Sequence, residues 1–396
     1  AMENWGLVTY REVYLLVDDN STVKSRQNVA LVVAHELAHQ WFGNLVTMKW
    51  WDDLWLNESF ANMMEYVSVD AIEPSWNIFE DFQTAGLPLA LQRDATDGVQ
   101  SVHVEVKHPD EINTLFDPAI VYAKGSRLMH MLRRWLGDDD FRAGLKIYFE
   151  KHQYGNTIGR DLWDALSEAS GKDVAAFMDA WLEQPGYPVV TAEVVDDTLV
   201  LSQKQFFIGE GVDENRIWPI PLNSNWQGLP ETLTEARLEI PNYSQLAAQN
   251  EGALRLNTEN TAHYITNYKG ELLNAVLKQL TELDTVSKLQ VIQERRLLAE
   301  SGEISYAELV PLLTKLADET SYLVAEAISQ VVEGLDVFLT EGSQAQAQFK
   351  ALLSHLMQKN YDRLGFEPQA GESDEDEMVR QNTLSLMLYA DHEAAV

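Results

Sequence analysis

The pattern of apolar and polar positions changes character twice along the chain. In residues 1–187 apolar residues recur at helical spacing, which predicts helices over 28–42, from 53 past 66, and over 124–136, 139–152, 159–170 and 174–181. Val29, Val32, Val33, Leu37 and Trp41 form the apolar stripe of the first helix. The segment 7–17 is rich in Val, Leu and Tyr and predicts a strand.

Two prolines and a glycine punctuate the segment 184–188, and short β-type runs separated by turn residues follow it. We expect strands over 189–195, 198–203, 217–222, 236–240, 253–256 and 263–268, arranged as a small β-sandwich. From residue 270 the apolar stripes are helical again and indicate stacked, solenoid-like helical pairs. The acidic run 372–377 is typical of a solvated loop.

These patterns predict a multidomain α+β protein with a mainly helical domain at 1–187, a β-sandwich at 188–269 and an α-helical domain at 270–396. The chain begins without an initiator Met and stops just after a helical stripe. We therefore expect it to be cut from a longer protein and its last domain to be partial.

The charge balance restricts the class of partner. The chain carries 62 acidic against 29 basic residues, a net charge of -33, whereas nucleic acids and anionic membranes attract basic patches. No apolar run is long enough to predict a membrane span. The chain has no cysteine, so a zinc site would have to use histidine and carboxylate ligands. A cysteine-free acidic chain also fits a reducing, cytoplasmic compartment.

Candidate chemistry lies on the first predicted helix, where residues 35–39 form an HExxH motif. His35 and His39 are four residues apart and share one helical face, so both imidazoles can reach one zinc ion. Glu36 lies beside that position and could take a proton from a metal-bound water. By itself this short motif also occurs by chance, with the two histidines serving only structural purposes.

Two glutamates on the second predicted helix strengthen the zinc interpretation. Glu58 follows His39 by nineteen residues, and a His-His-Glu set leaves a fourth zinc position open for water. Glu65 lies two turns further along the same face and could accept a hydrogen bond from a ligand imidazole. The other histidines show no ligand spacing and are interpreted as structural or surface residues, and the tryptophans around the site helices as packing.

Several motifs together resemble the aminopeptidase N family of gluzincin metallopeptidases. The segments 35–44, 47–51 and 53–58 are similar to its zinc signature, and Ala1-Met2-Glu3-Asn4 to its GAMEN motif without the first glycine. Further matches follow in the family's order, at Tyr122-Ala123-Lys124-Gly125, at Trp181, Gln184, Gly186 and Pro188, and at 264–268. The resemblance implies a thermolysin-like catalytic domain, a β-sandwich and the start of a helical domain, and it implies that the family's N-terminal β-domain is missing.

The resemblance also implies roles for individual residues. His35, His39 and Glu58 match the ligands of one zinc ion and Glu36 matches the general base. Tyr122 matches the tyrosine that donates a hydrogen bond to the oxyanion.

The opening segment matches residues that bind substrate in the family. Glu3 matches the glutamate that binds the α-ammonium of the substrate, and Ala1, Met2 and Asn4 complete the matching motif. The implied function is zinc-dependent removal of single residues from peptides with a free N-terminus.

Two alternatives remain open at the level of the sequence. A zinc endopeptidase would share the HExxH motif and Glu58 but would not need Glu3. An inactive, zinc-bearing scaffold would need neither Glu36 nor Tyr122. Some relatives also open a lipid epoxide in the same site, and side-chain preference and oligomeric state have no signature in the sequence.

Overall fold

The structure is a computed structural model that describes residues 1–317 and 319–393. The chain divides into two compact units, Ala1–Gly270 and Glu271–Val396. The α-helices of the first unit are α1 (Val23–Ala38), α2 (Trp55–Ile72), α3 (Ile78–Asp81), α4 (Gly86–Asp94), α5 (Gly125–Leu136), α6 (Asp138–His152), α7 (Gly159–Ser170), α8 (Val174–Glu183) and α9 (Tyr243–Ala248). Those of the second unit are α10 (Gly270–Gln279), α11 (Thr285–Glu300), α12 (Leu309–Lys315), α13 (Tyr322–Asp336), α14 (Gln344–Leu364) and α15 (Asp374–Tyr389).

Helix α1 begins five residues before its predicted start. The hydroxyl of Thr22 accepts a hydrogen bond from the amide of Ser25 at 3.2 Å and caps the helix. Its buried residues include Leu31, which packs with Val69 and Ile78, whereas Leu37 is 53% exposed. The apolar stripe therefore predicted the helix but not the face that packs against α2. That face also carries the polar residues of the site.

The predicted strand at 7–17 is wrong. This segment contains a 3-10 helix, Glu12–Tyr14, and its one bridge of β type joins Met2 to Thr9. Leu7 and Val13 are 71% and 68% exposed, so these apolar side chains lie at the surface and do not belong to a buried strand. A strand needs a partner along its length, and among the described residues the segment pairs only through that bridge.

Short strands lie between and after the helices of the first unit. They are β1 (Val46–Met48), β2 (Gly155–Thr157), β3 (Pro188–Val195), β4 (Thr198–Gln205), β5 (Ile220–Pro221), β6 (Thr232–Leu233), β7 (Arg237–Pro241) and β8 (Ile265–Tyr268). A four-stranded sheet has the order β7-β4-β3-β8, with β3 antiparallel to β4 and parallel to β8. Strand β5 pairs with β6, and β1 pairs in parallel with β2.

Several predicted strands in 188–269 differ from the structure. The run at 217–222 shortens to β5. The run at 253–256 consists of bends and irregular backbone instead of a strand. The expected β-sandwich and the boundaries at 187 and 269 stay predictions.

The acidic run in the second unit is not a loop, as the sequence pattern suggested. Its residues from Asp374 onward form the first turn of α15, where the hydroxyl of Ser373 accepts a hydrogen bond from the amide of Asp376 at 3.1 Å. Carboxylates are favourable there because the amide groups at a helix N-terminus carry partial positive charge. None of the helices in the described residues has the length and apolar character needed to cross a membrane.

Candidate metal centre and substrate cleft

Three side chains from two helices converge on one point. The Nε2 atoms of His35, in the last turn of α1, and of His39, which caps that helix, lie 3.0 Å from each other. A carboxylate oxygen of Glu58, near the start of α2, lies 3.3 Å from each of these nitrogens. Within the described residues this is the one group of three or more His, Cys, Asp or Glu side chains arranged to hold a metal ion.

The outer ring nitrogens of both histidines are held by acceptors. Nδ1 of His39 lies 2.9 Å from the carbonyl oxygen of Phe42, so Nδ1 carries the proton that is donated. Nδ1 of His35 lies 2.8 Å from Glu65, whose other oxygen accepts a hydrogen bond from Asn62 at 2.8 Å. Nε2 of each imidazole is therefore the nitrogen left to bind a metal ion placed between the two rings and Glu58, as a His-His-carboxylate zinc site requires. The donor set fits zinc.

The electrostatics of the cluster favour a positive charge at its centre. Burial opposes the charged form of His35, but its hydrogen bonds to Glu58 and Glu65 prevail and raise its pKa to about 10. Burial likewise opposes ionisation of Glu58, yet its bonds to His35 and His39 lower its pKa to about 2. Because a buried carboxylate stays ionised here, a cation between these three groups would be strongly stabilised.

Glu36 is a buried carboxylate on the same helix. It is 4% exposed, and its Oε2 atom has no hydrogen-bond partner among the described residues. Burial raises the pKa of Glu36, while the neighbouring His35 and His39 oppose this shift. A carboxylate that faces a cleft without a partner can accept a proton from a group bound there.

Tyr122 lies on a π-helical turn, Pro118–Lys124, that packs against α2. The hydroxyl of Ser59 donates a hydrogen bond to the carbonyl of Val121 at 2.6 Å. A Cβ atom at Gly125 would lie 2.0 Å from the Ser59 hydroxyl, so only glycine allows this approach. The ring centre of Tyr122 lies 6.1 Å from that of His35, and burial together with Glu58 raises the pKa of its phenol. The phenol is therefore a neutral donor at pH 7.

The side chains of the metal-binding cluster, Glu36, Glu65 and Tyr122 all line one cleft of about 1030 Å³. Ala1, Met2 and Glu3 line it, and the amide of Asn44 donates a hydrogen bond to the carbonyl of Glu3 at 2.7 Å. Asn4 is exposed, and its carbonyl accepts a hydrogen bond from the amide of Leu7. Of the four residues that resemble the GAMEN motif, the structure thus brings three to the cleft and places Asn4 in the adjoining turn.

Some cleft residues were not identified from the sequence. Arg11 and Tyr14 line the cleft, as do Trp51 and Phe116, whose ring centres are 6.2 Å apart. Trp51 therefore contributes to the cleft as well as to packing, whereas Trp55 is buried and stacks on Trp163, as expected for a packing residue. No sequence signal identifies such wall residues, because they come from separate loops and helices.

Comparisons with known proteins agree with the geometry. Residues 1–181 match the peptidase family M1 domain, and residues 254–396 match the ERAP1-like C-terminal domain. The chain is 72% identical over 398 residues to an aminopeptidase N of Lactococcus lactis subsp. lactis, covering 100% of this chain and 47% of that protein. It is 52% identical over 394 residues to aminopeptidase N of Lactobacillus helveticus, covering 99% of this chain and 47% of that protein.

A more distant relative is matched over a similar share of its length. The chain is 35% identical over 397 residues to the tricorn protease-interacting factor F2 of Thermoplasma acidophilum, covering 100% of this chain and 48% of that protein. The chain therefore spans about half the length of the curated relatives it matches. From this match, the cleft and these relatives, we conclude that residues 1–181 are a peptidase family M1 domain.

Proposed function

We propose that this chain carries the catalytic machinery of a zinc aminopeptidase, which removes single residues from the N-terminus of peptides. One observation carries the proposal: the His35–His39–Glu58 cluster and the unpartnered carboxylate of Glu36 face the same cleft. The names of the relatives support the same reaction class. We further propose that residues 1–187 form the catalytic domain, 188–269 a β-sandwich and 270–396 part of a helical domain.

The composition of the ligand set supports zinc as the metal. His35, His39 and Glu58 would hold one Zn²⁺ ion, with Glu65 fixing the orientation of His35. A zinc ion held by these residues would supply Lewis acidity, which would polarise a carbonyl group and lower the pKa of a water molecule toward about 7.

The remaining steps belong to protein side chains. Glu36 accepts a proton from the attacking water and later transfers it to the leaving amine. Tyr122 donates a hydrogen bond to the oxygen that becomes negatively charged in the transition state. Glu3 forms a charge-assisted hydrogen bond with the α-ammonium of the substrate, which an internal peptide bond cannot offer. The carboxylate of Glu3 therefore sets the register at which one residue is released.

The proposal is tested by hydrolysis of a panel of aminoacyl-arylamides, with and without a zinc chelator, by this chain and by an intact relative. Zinc-dependent release by both supports the aminopeptidase and shows that these residues suffice. Release by the relative alone would support the chemistry and assign completion of the site to residues outside this chain. Absence of release by a zinc-loaded chain and by the relative would favour the inactive scaffold.

A further inference from the structure

We propose that a buried ion pair between Lys124 and Asp94, completed by His263 and Gly186, positions Tyr122 for catalysis. The inference rests on the proposed function, in which Tyr122 contacts the reacting carbonyl. Lys124 and Asp94 themselves lie away from the cleft walls, so they act through Tyr122 as positioning residues.

The first part of the argument is the geometry of the ion pair. Lys124 lies two residues after Tyr122 on the same π-helical turn. Its Nζ atom is 2.8 Å and 3.0 Å from the two carboxylate oxygens of Asp94, at the end of α4, and 3.1 Å from the carbonyl oxygen of Gly186. The side chains of Lys124 and Asp94 are both 0% exposed. The turn that bears Tyr122 is thus tied to two distant segments of the first unit.

The second part is that both carboxylate oxygens of Asp94 accept further hydrogen bonds. One of its oxygens also accepts a hydrogen bond from the amide of Gly186 at 3.0 Å, and the other accepts one from Nε2 of His263 at 3.0 Å. Burial lowers the pKa of His263 to about 4, so this imidazole is neutral at pH 7 and donates its single N–H. Burial opposes ionisation of Asp94, but Lys124 and His263 hold its pKa below the ordinary value. The network therefore contains one balanced pair of charges.

The third part is the nature of the turn. The amide of Gly125 bonds to the carbonyl of Ile120, five residues earlier, which is the wide spacing of a π-helix. Such turns are rare and frequently occur at functional sites, and they depend on tertiary contacts for stability. Tyr122 lies between two such contacts, the hydrogen bond from Ser59 to Val121 on one side and the Lys124–Asp94 pair on the other.

A buried ion pair contributes little net stability, because desolvation of the two charges offsets their attraction. We infer that the pair acts on position, since in the observed turn Lys124 contacts both the carboxylate of Asp94 and the carbonyl of Gly186. Displacement of a catalytic group by about 1 Å can lower a rate by about 10²-fold. The pair would therefore affect turnover through the hydroxyl of Tyr122 more than it affects folding.

The test variant is Asp94→Asn combined with Lys124→Met. This double substitution removes both charges together, so no uncompensated buried charge is left, and the carboxamide oxygen introduced by Asp94→Asn would still accept a hydrogen bond from Gly186. The matched control is Glu319→Gln with Lys288→Met, which removes a 2.6 Å ion pair in the second unit. Circular dichroism and thermal unfolding establish that each variant is folded.

The first readout does not depend on activity. Hydrogen exchange of the amides at 119–125 is measured without substrate in the two double variants and in the unchanged chain. We expect exchange at least about tenfold faster in the Asp94/Lys124 variant and unchanged exchange in the control. Unchanged exchange in the Asp94/Lys124 variant would overturn the positioning role, whatever the activity.

The second readout is kinetic: the effect of Tyr122→Phe is measured alone and in combination with the Asp94/Lys124 double substitution. We expect the Asp94/Lys124 variant to lower kcat by about tenfold or more with KM within about twofold, and we expect Tyr122→Phe to cost much less in that background than alone. Equal costs of Tyr122→Phe in both backgrounds would overturn the coupling. If Tyr122→Phe alone left kcat unchanged, the proposed oxyanion role and the catalytic part of this inference would both fail, while hydrogen exchange would still decide whether the pair anchors the turn.

Discussion

Nδ1 of His35 and a carboxylate oxygen of Glu65 are 2.8 Å apart, although 30 residues separate them in the sequence. The carboxylate is itself held by the amide of Asn62. Its position is therefore determined before any metal binds, and it fixes both the ring orientation and the protonated nitrogen of His35. A ligand prepared in this way loses less freedom when a metal ion binds.

We therefore expect Glu65→Ala to weaken zinc binding by about 10–100-fold, with a smaller loss for Glu65→Gln, which keeps an acceptor for His35. Competition with a chromophoric chelator measures this affinity directly. Asp70→Asn, on the same helix but outside the cleft, is the control for loss of one negative charge. An affinity of Glu65→Ala equal to that of the unchanged protein would remove Glu65 from the site.

Glu36→Gln is expected to retain zinc and lose activity. The substitution keeps the size of the side chain but removes its ability to accept a proton, and general-base catalysis contributes about 10²–10⁴-fold. Metal content and hydrolysis of an aminoacyl-arylamide are measured on the same preparation. A zinc-loaded variant with activity within about tenfold of the original would contradict the assignment of Glu36 as the base.

Tyr122→Phe removes one hydroxyl from the cleft. If that hydroxyl stabilises the oxyanion, kcat falls by about 10²–10³-fold while KM changes little, because the interaction strengthens only in the transition state. Steady-state kinetics with a single arylamide substrate separate the two parameters. An effect confined to KM would assign Tyr122 to ground-state binding.

Glu3→Ala should weaken the preference for free N-termini. The carboxylate lines the cleft and would attract an α-ammonium, whereas an N-acetylated substrate offers no charge. The ratio of kcat/KM for free and acetylated peptides is compared between the two proteins. The same ratio in both would refute the role of Glu3, and efficient cleavage of blocked peptides by the unchanged protein would favour an endopeptidase.

The contribution of His263 to the stability of the first unit should decrease as pH falls from about 6.5 to about 4. The pKa of buried His263 is lowered to about 4, whereas that of an unfolded histidine is about 6.5, so between these values only the unfolded chain binds this proton. Above about pH 6.5 neither state binds the proton and the contribution is complete, and over the window it loses about 3 kcal/mol. Partly buried His130, whose pKa is lowered to about 3, acts in the same direction.

Tryptophan fluorescence can follow this unfolding selectively, because all 11 tryptophans lie within residues 1–270. The free energy of unfolding is measured in denaturant at several pH values for the unchanged protein and for His263→Gln. We expect a shallower dependence on pH in the variant, since one of the two histidines with a lowered pKa no longer contributes. Identical slopes would show that His263 is not held neutral by burial.

Spacing along one helix was sufficient to predict part of the site. His35, Glu36 and His39 share a helix, and helical geometry alone brings residues four apart onto one face. The helix that carries both Glu58 and Glu65 was also predicted from the sequence, with a start shifted by two residues. These features are local, so the sequence by itself determined them.

Contacts between distant segments were decided by the tertiary structure. The sequence contained no sign that Asp94, Lys124 and His263 meet, because their side chains come together only when α4, the π-helical turn and the approach to β8 pack in one unit. For the same reason the strand predicted at 7–17 was wrong, since a strand forms only where a partner lies beside it. Local pattern determined the helix that carries the HExxH motif, and long-range packing decided which distant residues lie around it.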